Sequence, residues 1–118
     1  MSRILIVDDE PDLRGMVRLI LELAGHSVVE AHHGKIALQR LDEINVDLII
    51  TDVMMPMMSG SELINHLRSD PDRSGLPIMV LSASPHEIDN ADHVMRKPFE
   101  PAELRHAVAT LLNSDASG

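Results

Sequence analysis

The stretch Ile4-Leu5-Ile6-Val7-Asp8-Asp9-Glu10 decides how this chain folds. Four apolar residues run without alternation and then give way to acids. A strand with one wet face alternates apolar and polar side chains. An unbroken aliphatic run suits a strand covered on both faces, as in a parallel sheet. The pattern returns twice: Leu48-Ile49-Ile50 is followed by Thr51 and Asp52, and Ile78-Met79-Val80-Leu81 is followed by Ser82. Weaker strand signals lie at Ser27 to Ala31 and at His93 to Met95.

Helical periodicity fills the segments between these runs. From Pro11 to Ala24, apolar residues fall at Leu13, Met16, Val17, Ile20, Leu21 and Leu23, mostly at spacings of three and four. Pro11 suits a first helical turn and Gly25 a C-terminal stop. Further helices are expected over Lys35 to Ile44, Ser61 to Arg68 and Pro101 to Leu112. Strand and helix thus alternate, and parallel neighbours need right-handed crossovers. The expected architecture is an open, doubly wound α/β sandwich.

The 118 residues suit one domain with one core. With one Phe and no Trp or Tyr, that core must be aliphatic, with the eight Met as gap-fillers. The net charge of −9 sets the chain against phosphate backbones, so no direct nucleic-acid binding is expected. No cysteine is present for disulfide or thiol chemistry. The apolar run at the N-terminus is too short for a signal peptide, and no run reaches the roughly 18 to 20 apolar residues of a membrane helix. A cytoplasmic setting without membrane insertion is the expectation. The domain is expected to span residues 1–113, with 114–118 a frayed tail or the start of a linker.

The polar residues after the strands carry the chemistry. In an open parallel sheet, sites form outside the carboxyl ends of the strands. If the first and third strands are neighbours, Asp8, Asp9 and Asp52 meet at one edge. Two carboxylates about 4 Å apart repel by roughly 4 kcal/mol at an effective dielectric near 20. All-oxygen donors call for a hard cation, Mg²⁺ or alternatively Mn²⁺. Ser82 and Lys97 belong to the same edge. A carboxylate that attacks, with a cation and an ammonium to neutralise charge, is a workable phosphoryl-transfer site. Taken singly, each residue also has a plainer role: acids cap helices, a Ser closes a turn, and a Lys before Pro is a surface charge. The joint order of all five, each just beyond an apolar strand, is what is specific.

With those residues in place, the chain resembles the response regulator receiver family, whose fold is that of the chemotaxis regulators. The matching segments are Ile4 to Glu10, Asp47 to Pro56, Met58-Ser59-Gly60, Val80 to Ala83 and Lys97-Pro98-Phe99. The resemblance implies a flavodoxin-like five-stranded parallel sheet in the order 2-1-3-4-5. It implies that Asp52 accepts a phosphoryl group from a histidine kinase or a histidine phosphotransfer protein. Asp9 would bind Mg²⁺ directly, with Asp8 assisting, and the Met54 backbone carbonyl would complete the protein's ligands beside Asp52. Ser82 would hydrogen-bond the phosphoryl group and Lys97 would ion-pair with it. Lys97-Pro98 would be a cis peptide. Such a domain catalyses only the acceptance and hydrolysis of its own phosphoryl group and signals to a downstream partner or output domain, which the sequence leaves unknown.

The chain departs from that pattern in two places. The stretch from Ala83 to Arg96 is short and contains Pro85, so the family's fourth helix is expected to be shortened or missing, and the loop Ala83 to Asp92 to carry the response. Val94 stands where many relatives carry an aromatic switch residue. Two other readings compete. A non-phosphorylated pseudo-receiver would keep the fold for interaction alone. A haloacid-dehalogenase-type phosphatase would need a second acid two residues after Asp52, where Met54 stands. The pair His32-His33 reads as a loop, since adjacent imidazoles converge poorly on one metal.

Overall fold

The computed structural model describes residues 2–53, 58–83 and 90–117, with side chains described as far as Asn113. Five strands are present: β1 (Arg3–Val7), β2 (Ser27–Ala31), β3 (Leu48–Asp52), β4 (Ile78–Ser82) and β5 (His93–Arg96). Among the described residues they alternate with four helices: α1 (Pro11–Leu23), α2 (Gly34–Glu43), α3 (Gly60–Ser69) and α4 (Pro101–Ser117). All strand pairs are parallel and the order is β2-β1-β3-β4-β5.

Strand periodicity sorts the core onto two faces. Ile4, Ile6, Leu48, Ile50, Met79 and Leu81 face α1 and α4, where Val17, Leu21, Leu104 and Val108 meet them. Leu5, Val7, Ile49, Ile78 and Val80 face α2 and α3, meeting Ala37, Leu41, Leu63, Ile64 and Leu67. Helices on both faces explain why β1, β3 and β4 are apolar without alternation. Burying each large aliphatic contributes about 1.5–3 kcal/mol relative to leaving it exposed. The edge strands β2 and β5 keep exposed or half-buried positions, which is why their sequence signal is weaker.

The helix ends follow local chemistry. Pro11 starts α1, and Gly25, at φ 95°, closes it with its N–H on the Glu22 carbonyl and the His26 N–H on the Leu21 carbonyl. Ser59 and Glu62 form a reciprocal capping box at the start of α3. His33 caps α2 through Nδ1, which accepts from the Ile36 N–H. The histidine pair therefore includes a helix cap. The last helix runs on to Ser117, whereas its apolar periodicity ends at Leu112.

Between β4 and β5 no helix occurs among the described residues, and residues 84–89 lie outside them. The return into β5 is anchored by Arg68 of α3. Its guanidinium donates to the carbonyls of Asn90, Ser74 and Leu76 and pairs with Asp92 at 2.8 Å. Asp92 in turn accepts from the Ile78 N–H at the start of β4. The Lys97-Pro98 peptide is cis, as the resemblance implies.

Candidate functional site

β1 and β3 are hydrogen-bonded neighbours, with Val7 opposite Thr51. Asp8 therefore leaves β1 at the same edge at which Asp52 ends β3. Asp52 lies opposite Leu81 of β4, so Ser82 stands one residue further toward that edge. Ser82 lies opposite Arg96 of β5, and the Lys97 N–H donates to the Ser82 carbonyl at 2.9 Å. The sheet register alone thus brings Asp8, Asp52, Ser82 and Lys97 to one place.

Side-chain geometry completes the cluster. Lys97 Nζ lies 3.2 Å from Asp52 Oδ1, which also accepts from the Val53 N–H at 2.8 Å. Asp8, Asp52 and Ser82 are all buried. Asp8 Oδ1 accepts from the Glu10 N–H at 2.8 Å, while Asp8 Oδ2 is buried without a hydrogen-bond partner. Burial pushes the Asp8 carboxyl up from 3.8 to about 6. Repulsion from Asp52 and Glu10 adds to the rise; the Glu10 N–H and Lys97 oppose it. One carboxylate oxygen from each of Asp8, Glu10 and Asp52 lies within 4.8 Å of the others.

This donor set fits a hard divalent cation. An unsatisfied buried acceptor costs about 1–3 kcal/mol, more for a charged one, and a cation among three carboxylates removes that cost. Asp9, the expected direct ligand, is exposed, as Glu10 is, and is not one of these three. Glu10 is the acid of this cluster that the sequence reading did not single out, although a third consecutive acid was there as the signal. The expected Met54 carbonyl ligand lies outside the described residues.

The response regulator receiver domain family model matches residues 4–109. The chain belongs to the response regulator receiver family. Its sequence is 37% identical to the sensor histidine kinase TmoS of Ectopseudomonas mendocina, over 98% of this chain and 12% of that protein. It is 36% identical to the transcriptional regulatory protein CpxR homolog of Haemophilus influenzae, over 99% of this chain and 53% of that one. Among solved structures, the response regulator TrrA of Thermotoga maritima, in complex with Mg²⁺-BeF, superposes with a TM-score of 0.86. The identity is 34%, and the match covers 94% of this chain and 99% of that one. The chain spans about half or less of the length of the curated relatives it matches. The matched region is the receiver itself, a phosphoryl-accepting domain, and the acids of this receiver suit Mg²⁺. No described helix is long and apolar enough to cross a membrane.

Proposed function

We propose that this receiver takes its phosphoryl group on Asp52 from a phosphohistidine of a histidine kinase or a histidine phosphotransfer protein. The observation that carries the assignment is the position of Asp52: buried at the strand end, paired with Lys97, and facing Asp8 across the cluster. An Asp52 oxygen forms the new O–P bond as the N–P bond of the donor breaks, and the donor imidazole keeps the electron pair. Transfer of this kind depends on positioning and charge neutralisation more than on proton transfer by the protein.

Asp8 and Asp52, with Asp9 as the further carboxylate that the family resemblance implies, would hold Mg²⁺, which would supply neutralisation of charge on the transferring oxygens. Lys97, already paired with Asp52, would ion-pair with the phosphoryl group, and Ser82 lies within the same strand-end cluster to hydrogen-bond it. The added group brings a charge of about −1.5 to −2 and three acceptor oxygens, enough to redraw the pairing of Lys97 and the surface beside it. A cytoplasmic setting fits such a donor. In this reading the receiver spans residues 1–113.

Intact mass measured after incubation with Mg²⁺ and acetyl phosphate tests the assignment. A phosphoryl adduct that disappears in Asp52→Asn is the expected result. An adduct that survives in Asp52→Asn moves the acceptor elsewhere. No adduct with any donor leaves an interaction-only pseudo-receiver.

A further inference from the structure

Two acids of the cluster, Asp8 and Glu10, sit on a short segment between β1 and α1, and one arginine ties that segment down. Asp8 lies beyond the last β1–β3 pair, so its carbonyl has left the ladder. The Arg14 Nη1 donates to that carbonyl at 2.8 Å. The backbone N–H of Arg14 donates to the Glu10 carbonyl at 3.0 Å. One residue of α1 therefore holds the acid segment at both ends.

Arg14 is itself held in place. Its Nε donates to Glu30 Oε1 at 2.8 Å, and Arg18 bonds the other Glu30 oxygen. Glu30 lies opposite Ile6 in the sheet, and Ile6 belongs to the face that α1 covers. Register thus aims Glu30 at the arginines of α1. Burial works against the Glu30 charge, but the bonds from Arg18 and Arg14 hold its carboxyl below the usual range, so the anchor stays ionised. A guanidinium fixed in two directions sets a bonded carbonyl more firmly than an ammonium could.

We infer that Arg14, aimed by Glu30, is a positioning residue of the metal site: it fixes the Asp8 backbone, and so the direction in which the Asp8 carboxylate faces the cation. Groups behind a metal's direct ligands orient those ligands in this way. The inference rests on the proposed Mg²⁺-dependent function of the same acids.

The sign of the effect separates positioning from simple charge. Removing a cation beside three carboxylates strengthens Mg²⁺ binding if only Coulomb's law acts. Removing the positioning contact weakens it. Calorimetric Mg²⁺ titration of the metal-free chain, wild type against Arg14→Gln, is the test, with thermal unfolding recorded alongside. Arg14→Gln is expected to weaken binding about tenfold, in line with other groups that orient metal ligands. Arg14→Lys, with its charge kept but its fork lost, is expected to recover only part of that loss. Glu30→Gln is expected to weaken binding less than Arg14→Gln, and the double variant no more than Arg14→Gln alone. Should Arg14→Gln not fold, Arg14→Lys supplies the test, since it keeps the charge and loses the fork that bonds both Glu30 and the Asp8 carbonyl. Unchanged or tighter binding in Arg14→Gln, or in Arg14→Lys where Arg14→Gln does not fold, overturns the inference. A wild-type chain that binds no Mg²⁺ overturns instead the functional reading beneath it.

Discussion

Lys97 Nζ lies 3.2 Å from Asp52 Oδ1, joining the residue just after β5 to the last residue of β3. In the resting site this ammonium does the work of a counter-ion. It offsets part of the repulsion among Asp8, Glu10 and Asp52, and it helps restrain the rise at Asp8. In the proposed transfer to Asp52 it would offset the charge that develops on the phosphoryl oxygens. The two roles respond oppositely to its removal.

Lys97→Gln is therefore expected to bind Mg²⁺ more tightly than wild type and yet to accept phosphoryl more slowly. Loss of one charge-stabilising donor in a preorganised site costs roughly a hundredfold in rate. Calorimetry gives the first quantity, and the time course of the acetyl phosphate adduct by intact mass gives the second. An acceptance rate equal to that of wild type removes Lys97 from the transfer step.

The raised Asp8 carboxyl makes stability depend on pH and on metal. Its ordinary value of 3.8 becomes about 6 in the folded, metal-free chain. Between those values the folded state binds more protons than the unfolded state, so this group lowers stability as pH rises from about 4 through 6. Asp8→Asn removes the buried charge and can keep an acceptor for the Glu10 N–H. Without metal it is expected to unfold at a higher temperature than wild type at pH 7.5, with the advantage shrinking toward pH 4. Excess Mg²⁺ at pH 7.5 reverses the order, since wild type gains stability from binding. Thermal unfolding at three pH values, with and without Mg²⁺, checks both statements. A difference that does not vary with pH would falsify the role given to Asp8 burial.

Three glycines rank by what a methyl group would meet. At Gly60 an added Cβ falls 2.4 Å from the Asp52 carbonyl oxygen and 3.0 Å from Val53 Cα, both backbone atoms. Gly60→Ala is expected to cost about 1–3 kcal/mol and to slow phosphoryl acceptance, because the end of β3 must move. At Gly34 the nearest atom is Met58 Sδ at 2.7 Å, the far part of a flexible side chain, so Gly34→Ala is expected to cost less. Gly15, exposed within α1, meets nothing within 4 Å, and Gly15→Ala is expected to stabilise by about 0.5–1 kcal/mol. Urea unfolding of the three variants gives the order. Gly60→Ala as mild as Gly34→Ala contradicts the close approach of α3 to Asp52.

Most of this site was legible in the sequence because parallel register does the assembling. Once β1, β3 and β4 are recognised as fully buried runs, the residues just beyond them must meet at one edge. The positions of Asp8, Asp52 and Ser82 follow from that rule. Lys97 follows as well, though β5 is a half-exposed edge strand with little signal of its own. Side-chain direction was not legible. Periodicity places Glu10 at the start of α1 but does not say that a carboxylate oxygen of it comes within 4.8 Å of those of Asp8 and Asp52. Nor does it pair Arg14 with the Asp8 carbonyl, a contact that depends on where α1 crosses β2. His33 likewise read as a loop residue, because a histidine N-cap has no pattern as recognisable as the Ser59–Glu62 box.

The short connection between β4 and β5 turns Arg68 into a structural fastener. Its guanidinium holds the carbonyls of Asn90, Ser74 and Leu76 and pairs with Asp92. Asn90 takes φ 67°, a conformation that Asn tolerates better than most residues. The Asp92 N–H donates to the Ile78 carbonyl while its carboxylate accepts from the Ile78 N–H, so the entry to β5 is locked onto the start of β4. Arg68→Gln breaks this fastening at the α3 side and strands several acceptors. A cost of about 1.5–3 kcal/mol is expected, the range for hydrogen bonds that involve a charged group. Asp92→Asn can keep an acceptor for Ile78 and should cost less. Amide exchange separates local from global effects: in Arg68→Gln the Asp92 N–H is expected to lose more protection than the N–H groups of β1. Equal loss at both places would show that Arg68 supports the whole sheet rather than the return into β5.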